Sequence, residues 1–357
     1  MPNELDIFAK RLQQARKKSK LSMEALCAKM DGTVSKQAIS KYEKALMMPS
    51  STVLISLAEA LQVGLDYFFR PFSYDIENFK VSFRKKSNVS AKDISALEVQ
   101  IQDDIERYLE IEEILDVKKP QFETIETNVI RKSADIENCA KKVREQWGLG
   151  KDCIANVQDV LESKGIKVIY TSAPESFDGV SGLVNNTHYI IVLNYNKKHT
   201  ERRRLTSLHE LGHLLFNDKF SSDLTSREKE KLCNAFANEM LLPSEILNSY
   251  FAGKSKIATE ELIAVAGAYG ISVDAIVHKL HDMGLISDKR YRHFYIQKNQ
   301  DSSLKKKIEA SRYNETMTNR FEALVFSALA QQLISTSKAA SLLHYTINTV
   351  RKEFNVI

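Results

Sequence analysis

The sequence predicts a multidomain protein that is mainly α-helical and carries one small β-sheet. Three observations support this fold class. The chain has 357 residues, more than one hydrophobic core normally accommodates. Apolar residues recur at intervals of three and four along most of the chain, which is the periodicity of helices. Strand character is confined to three short runs, 79–86, 165–172 and 188–194.

The composition is that of a globular protein, with 43% hydrophobic and 27% charged residues. No stretch approaches 18 consecutive apolar residues, and the first residues contain no apolar signal segment. We therefore expect a cytoplasmic protein without a membrane partner. The four cysteines are never spaced as CxxC, which favours reduced thiols over a disulfide framework or a thiolate zinc site.

The positive charge is concentrated at the start of the chain. The net charge is +5, and residues 1–50 contain ten Lys/Arg and five Asp/Glu, so 10 − 5 = +5. The positive and negative charges of the remaining residues therefore cancel. A basic segment at residues 1–50, here called the basic head, followed by a neutral remainder suggests a nucleic-acid contact. The alternative is a basic face that is simply exposed to solvent.

Residues 1–70 predict a domain of five short helices. The helices begin near Leu5, Ser22, Ser35, Ser51 and Leu65. Ser22 is a suitable N-cap, and Asp31-Gly32 breaks the second helix. Two short helices joined by a tight turn that contains glycine are typical of the helix-turn-helix unit.

Residues 71–134 predict a linker that contains the strand 79–86 and a long charged helix at about 91–116. The apolar positions of this helix keep helical spacing, so it either packs on its own chain or pairs with a second copy. Pro120 and the loss of periodicity around it mark a boundary.

Residues 135–285 predict an α+β domain, and residues 286–357 predict a helical C-terminal domain. Two helices precede the strand 165–172, turn signals fill 174–182, and the strand 188–194 follows. Further helices are expected from Thr200 to about 283. In the C-terminal segment, residues 334–354 have the apolar spacing of a second helix-turn-helix. Its role could be core packing, substrate docking or DNA binding, and the sequence does not choose among them.

The stretch 207-SLHELGHLLF-216 has the pattern of a zinc-hydrolase helix. Residues four apart lie on one helix face, so His209 and His213 can bind one tetrahedral Zn²⁺. Glu210 is turned by about 100° and can act as the general base on a metal-bound water. We expect the small Gly212 to keep the approach to the metal open. The alternative is an amphipathic helix with two satisfied core histidines.

A catalytic zinc needs a third protein ligand and an open fourth position. Seventeen residues after His213, Glu230 lies near the start of a second helix, which is expected at about 226–240. Asn234 lies one turn further, where it could orient a ligating histidine. Glu228 and Glu239 are the alternative ligands, and Glu230 alone would be an ordinary helix-start glutamate. The strand 188–194 could offer a sheet edge for substrate, or could be a core strand.

The runs 202-RRRLTSLHELGHLLF-216 and 230-EKLCNAFANEMLLP-243, with 180-VSGLVNN-186 and 190-IIVLN-194, resemble the ImmA/IrrE family of metallopeptidases. The resemblance covers about 135–285 and implies a zincin-like fold of the gluzincin type. It implies zinc ligands His209, His213 and Glu230, with Glu210 as the catalytic residue. It also implies a cytosolic protease that cuts a helix-turn-helix repressor in stress, phage or mobile-element regulation. No oxyanion-stabilising residue is assigned, and the candidates are Tyr189, Tyr195, His188 and His199.

The segment 8–63 resembles the XRE (lambda-repressor-like) helix-turn-helix family, whose recognition helix corresponds to 35-SKQAISKYEKA-45. The resemblance implies double-stranded DNA as a partner and a homodimer on paired half-sites. We expect Ala38, Ile39 and Tyr42 inward, and Arg16, Lys17 and Lys18 on phosphates. The residues expected to face the groove are Ser35, Lys36, Gln37, Ser40 and Lys41.

Together these patterns predict a DNA-binding regulator that carries a zinc endopeptidase. Three other functions stay open: a repressor or antitoxin whose peptidase-like domain only senses or binds a partner, a regulator with structural zinc, and a protease whose head recognises its substrate repressor. Glu210 argues against structural zinc, because a closed site has no use for a general base.

Overall fold

The computed structural model describes residues 3–72, 90–118, 122, 124–197, 199–315 and 319–354. It confirms a mainly helical protein with one small sheet. The described helices are α1 Glu4–Lys18, α2 Met23–Lys29, α3 Lys36–Glu43, α4 Ser51–Leu61, α5 Ala91–Ile114, α6 Ser133–Gln146, α7 Val157–Ser163, α8 Thr200–Phe216, α9 Ser226–Leu241, α10 Ser244–Phe251, α11 Thr259–Tyr269, α12 Val273–Asp282, α13 Asp288–Gln300, α14 Ser302–Glu309, α15 Arg320–Ala330, α16 Thr336–Leu343 and α17 Ile347–Glu353. The strands are β1 Ile166–Thr171, β2 Gly179–Val184 and β3 His188–Asn194.

The chain folds as two compact units. The first contains Met1–Lys118 and Asn319–Ile357, and the second contains Lys119–Thr318. The helices α15–α17 therefore group with the first unit, whereas α13 and α14 group with the second. The sequence boundaries at 70, 134 and 285 remain predictions, since contacts group the four segments differently. The predicted strand 79–86 lies outside the described residues.

The start of the first unit is the expected bundle of short helices. Side chains of Asn3, Ser22, Ser35 and Ser50 accept hydrogen bonds from backbone N–H groups at the starts of α1 to α4. Such caps explain why these short helices begin where they do. The fifth predicted helix is a 3-10 helix at Leu65–Phe69.

The long helix α5 packs on its own chain. Its apolar positions Leu97, Ile101, Ile105 and Ile111 are buried, and it contacts α1 and α15 within the first unit. Of the two possibilities that the sequence left open for this helix, intramolecular packing is therefore the observed one.

Helix α5 also supplies the carboxylates that neutralise part of the basic head. Residues 91–114 contain eight Asp/Glu and two Lys/Arg. Arg11, which is fully buried, lies 2.7 Å from the Glu106 carboxylate, and Lys18 lies 2.8 Å from Asp103. Arg70 pairs with both of these carboxylates. Much of the charge excess at the start of the chain therefore serves packing within the unit.

Asp103 is the centre of this ion network. Besides Lys18 and Arg70, it lies 3.5 Å from Arg107 and 3.3 Å from His344. Burial disfavours the charged form, but the hydrogen bond from His344 and the three cationic neighbours outweigh it. The pKa of Asp103 consequently lies well below its ordinary value.

The second unit places a three-stranded sheet next to the helices that carry the zinc-hydrolase pattern. The strand order is β1-β3-β2, with β3 parallel to β1 and antiparallel to β2. Of the two possibilities that the sequence left open for 188–194, the core strand is the observed one, because β3 has a partner on both sides. The edge beside α8 is β2.

Sequence patterns missed β2 because Asp178-Gly179 and Ser181-Gly182 resemble turn signals. Here Gly179 serves close packing instead. A Cβ at this position would lie 2.9 Å from the Val192 carbonyl oxygen and 2.9 Å from Thr206 Cγ2. A residue without a side chain is required where β2 begins between β3 and α8.

No single helix among the described residues is long and apolar enough to cross a bilayer. The pair α11 and α12 meets these criteria only when the two are joined across a bend of 107°.

We predict that Asp103→Ala lowers the free energy of unfolding of the first unit by about 3–5 kcal/mol, because it removes the buried carboxylate that Lys18, Arg70 and Arg107 share. The measurement is urea unfolding, with Glu98→Ala, an exposed carboxylate of the same helix, as the control. Since the folded pKa is depressed, the contribution is present above about pH 4 and is lost as the pH falls through the folded value. Equal unfolding midpoints for Asp103→Ala and Glu98→Ala would contradict this role.

Candidate functional site

The site is built where α8 and α9 pack closely against each other. Gly212 on α8 faces α9, and a Cβ there would lie 3.3 Å from Phe236 Cδ1 and 3.4 Å from Cys233 Sγ. Gly212 therefore lies in the helix interface, a role that the sequence did not indicate, and its effect on the approach to the metal stays a prediction. A Cβ at this position would require Phe236 or Cys233 to move by a few tenths of an ångström.

This contact brings His209, His213 and Glu230 together. The His209 Nε2 and His213 Nε2 atoms are 3.2 Å apart. The Glu230 carboxylate oxygens lie 3.3 Å from His209 Nε2 and 3.2 Å from His213 Nε2. These three residues form the one cluster of potential metal ligands found in the described part of the chain.

The spacing of these atoms fits a tetrahedral zinc ion. Ligand atoms at about 2.0–2.1 Å from such an ion lie about 3.3–3.4 Å from one another. All three distances are within about 0.2 Å of that value. The two contacts of Glu230 use different carboxylate oxygens, so an ion at the cluster would take one of these oxygens together with the two imidazole nitrogens. Two imidazoles and one carboxylate are also a donor set of catalytic zinc sites, which keep a fourth position open.

The structure separates Glu230 from the two alternative carboxylates. Glu228 closes a capping box with Thr225 at the start of α9, where its carboxylate accepts the Thr225 N–H at 2.8 Å. Glu239 is buried, accepts the Ser244 N–H and pairs with Lys279. Both carboxylates bind other residues, whereas the Glu230 carboxylate lies against the two histidines.

The back of the His213 ring faces Asn217 and Cys233. Its Nδ1 lies 3.3 Å from Asn217 Oδ1 and 3.7 Å from Cys233 Sγ. Asn234, the partner expected from the sequence, has no hydrogen bond to either histidine among the described residues. Asn217 is a residue that sequence patterns missed, although its spacing of four from His213 was a usable signal.

Burial is the largest single effect on the pKa of His213 and lowers it. The hydrogen bonds with Cys233 and Glu230 together outweigh burial and raise the pKa of His213 to about 11. Hydrogen bonds from His209 and His213 in turn lower the pKa of Glu230. Burial raises the pKa of the Cys233 thiol. Because Cys233 lies on the Nδ1 side of the ring, its sulfur is behind the ligand and not in the cluster.

Glu210 is held by the edge strand β2. Ser181 Oγ donates to Glu210 Oε2 at 2.8 Å and lies 3.0 Å from the Glu210 carbonyl oxygen. One carboxylate oxygen is thus fixed, and the other remains able to accept a proton. Sequence patterns did not single out Ser181, although the run 180–186 was part of the family resemblance.

In the first unit, α3 exposes most of the residues expected to face DNA. Ser35, Lys36, Gln37 and Lys41 are exposed and Ser40 is half-buried, whereas Ile39 and Tyr42 are buried as expected. Ser35 accepts the Ala38 N–H and so caps the helix. Lys36 is paired with Glu24, but both side chains are more than half exposed, so solvent weakens this pair.

The structure places Arg16 inside the fold. Its guanidinium pairs with Glu43 at 2.6 and 2.8 Å and donates to the Leu21 carbonyl oxygen at 3.0 Å. The bidentate pair positions α1 against α3, so the expectation that Arg16 holds phosphate is not supported by this geometry. Lys17 is half-buried on the same helix.

Comparison with known families agrees with both units. Residues 161–281 match the peptidase family described as IrrE N-terminal-like domain, and residues 12–68 match the family described as Helix-turn-helix. The chain combines an XRE-type helix-turn-helix domain with an IrrE-like peptidase domain. No curated protein matches the chain significantly.

The four residues considered for stabilising an oxyanion lie in different surroundings in the IrrE-like domain. His199 is the N-cap of α8, about 15 Å along the helix from His209, and lines a cavity at that end. The Tyr189 ring packs on Phe122 with centroids 4.3 Å apart. Tyr195 is 60% exposed in the turn after β3. His188 is buried at the start of β3.

We predict that Glu230→Ala lowers zinc affinity strongly, because it removes one of three ligands, whereas Glu228→Ala leaves it unchanged. Elemental analysis and competition with a chromophoric chelator measure both variants after identical zinc loading. Glu228→Ala is a matched control, since it removes a carboxylate two residues away on the same helix. Equal loss of zinc in the two variants would show that helix integrity, and not ligation, explains the effect.

Proposed function

We propose that the protein is a DNA-binding regulator whose IrrE-like domain is a zinc-dependent endopeptidase that cuts a repressor-type protein. The observation that carries the proposal is the cluster of His209, His213 and Glu230, whose facing atoms lie 3.2–3.3 Å apart, with Glu210 next to His209 on α8. A catalytic zinc site has three protein ligands and an open fourth position, whereas a structural site is closed by a fourth ligand.

Each residue has a defined task in this reaction. His209, His213 and Glu230 would hold the ion, which when bound supplies Lewis acidity to the scissile carbonyl and to the attacking water. Glu210 accepts the proton of that water and returns it to the amine of the leaving chain. Ser181 holds one oxygen of Glu210 and leaves the other oxygen to accept the proton.

The edge strand β2 is the proposed binding surface for the substrate. An extended peptide can pair with an unpaired strand edge, which supplies main-chain hydrogen bonds. Because Ser181 on β2 contacts Glu210, a peptide on this edge would pass beside the base. This requirement for an extended segment favours cleavage in a loop or linker of the substrate.

In the first unit, we propose that α3 reads double-stranded DNA in the major groove. Gln37 suits bidentate contact with adenine, and Lys41 suits guanine or phosphate. A location in the cytoplasm and a homodimer on paired half-sites are part of this proposal. The helix α5 is occupied by contacts in its own unit, so the dimer contact would involve another surface.

We predict that Glu210→Gln retains zinc and lowers cleavage about 10²–10⁴-fold, because the amide cannot accept the proton. The assay incubates the zinc-loaded protein with a panel of helix-turn-helix repressors and maps new N-termini by mass spectrometry. Glu228→Gln is the matched control. Unchanged turnover of Glu210→Gln would remove Glu210 as the base, and no cleavage by wild type would favour a sensor role.

We predict that Gln37→Ala with Lys41→Ala weakens specific DNA binding by about 1–3 kcal/mol for each base contact that is lost. Electrophoretic titration on a duplex selected by the wild-type chain measures the effect. The control is Gln297→Ala with Lys305→Ala, which removes the same two residue types from exposed positions on α13 and α14. Equal affinities of the two double variants would assign recognition to a surface other than α3.

A further inference from the structure

The last helices of the first unit have the geometry of a second helix-turn-helix. Helices α16 and α17 are joined by only three residues, 344–346. His344 has φ of 56°, in the left-handed region, and reverses the chain after α16. Ser335 and Thr346 cap the two helices, as Ser22 and Ser35 cap α2 and α3. This repetition is within one chain, and neither matched family segment includes it.

The inner faces of these helices form their own small core. The buried apolar residues of this core on α15, α16 and α17 are Val325, Ala328, Ala339, Ala340, Leu342 and Val350. The small residues Ala339 and Ala340 allow α16 to approach its neighbours closely. Core packing therefore accounts for one face of α17 and leaves the opposite face to be explained.

The outer face of α17 has the chemistry of a DNA-reading helix. Thr346, Ile347, Asn348, Arg351 and Lys352 are exposed at its start and along one side. Asn pairs with adenine, Arg with guanine, and the methyl groups of Thr and Ile suit the thymine methyl group. Neither Arg351 nor Lys352 has an ion-pair partner among the described residues, whereas Arg11, Arg16 and Lys18 are neutralised within the fold.

The helix pair is firmly attached to the rest of the first unit. Arg107 of α5 donates to the Leu342 carbonyl oxygen, and His344 lies 3.3 Å from Asp103. Ser341 Oγ lies 3.1 Å from Asp66 in the helix-turn-helix domain. Fixed attachment matters for recognition, because two reading helices in one unit can impose a defined spacing on the DNA.

We propose that α17 is a second DNA-reading helix, so that one chain contacts two segments of a bipartite operator through α3 and α17. The partner is double-stranded DNA, since the exposed charges of α17, which are Arg351 and Lys352 against Glu353, are net positive. The inference extends the proposed reading of DNA by α3 and requires that the full chain binds DNA.

The test uses the full chain and a duplex that it selects from a randomised pool. Hydroxyl-radical footprinting and electrophoretic titration compare wild type, Asn348→Ala with Arg351→Ala, and Gln37→Ala with Lys41→Ala. All four substituted side chains are exposed, so the core is retained. Arg227→Ala, at an exposed position on α9 in the second unit, controls for loss of one positive charge.

The expected result is loss of protection over one DNA segment in the α17 variant and over a different segment in the α3 variant. The affinity of the α17 variant should fall about tenfold or more, as for loss of base contacts, with no change for Arg227→Ala. A wild-type footprint and affinity for the α17 variant, with a weakened α3 variant, would overturn the α17 inference alone. A retained footprint with lost repressor cleavage would also overturn it and assign the face to substrate docking. No DNA selection by wild type would overturn both proposals.

Discussion

The chemistry proposed for this protein depends on the close contact between α8 and α9. Two histidines four residues apart supply only two ligands, and a hydrolytic zinc site needs a third. Because Gly212 has no side chain, Phe236 and Cys233 of α9 pack directly against α8. Glu230 is thereby placed at the histidine pair, while the capping box of Thr225 and Glu228 sets where α9 begins.

The cationic side chains of the first unit fall into two groups. One group forms ion pairs within the fold, and the other is exposed and available to contact DNA. Arg11, Arg16 and Lys18 are paired with carboxylates that are almost fully buried. Lys36 and Lys41 remain exposed on α3. The basic composition of the head is therefore a weaker indication of DNA binding than it seemed, and the specific exposed residues carry the argument. The acidic helix α5 explains why the head needs its charge excess even without DNA.

Much of the fold followed from the sequence, because helical periodicity, serine caps and two β-branched strands are local signals. The strand β2 was missed because its glycines, required by packing against Val192 and Thr206, resemble turn signals. The histidine pair was predictable from a spacing of four on one helix. The choice of Glu230 over Glu228 and Glu239 was open, and the roles of Arg16 and Asn217 depend on tertiary contacts that no local pattern contains.

X-ray absorption spectroscopy of the zinc-loaded protein can distinguish an open, catalytic zinc site from a closed, structural one. We expect only nitrogen and oxygen neighbours at about 2.0–2.2 Å, with two imidazoles bound to the zinc. A sulfur neighbour at about 2.3 Å would place Cys233 on the metal and indicate a closed site. That result would contradict both the ligand set and the role of Glu210.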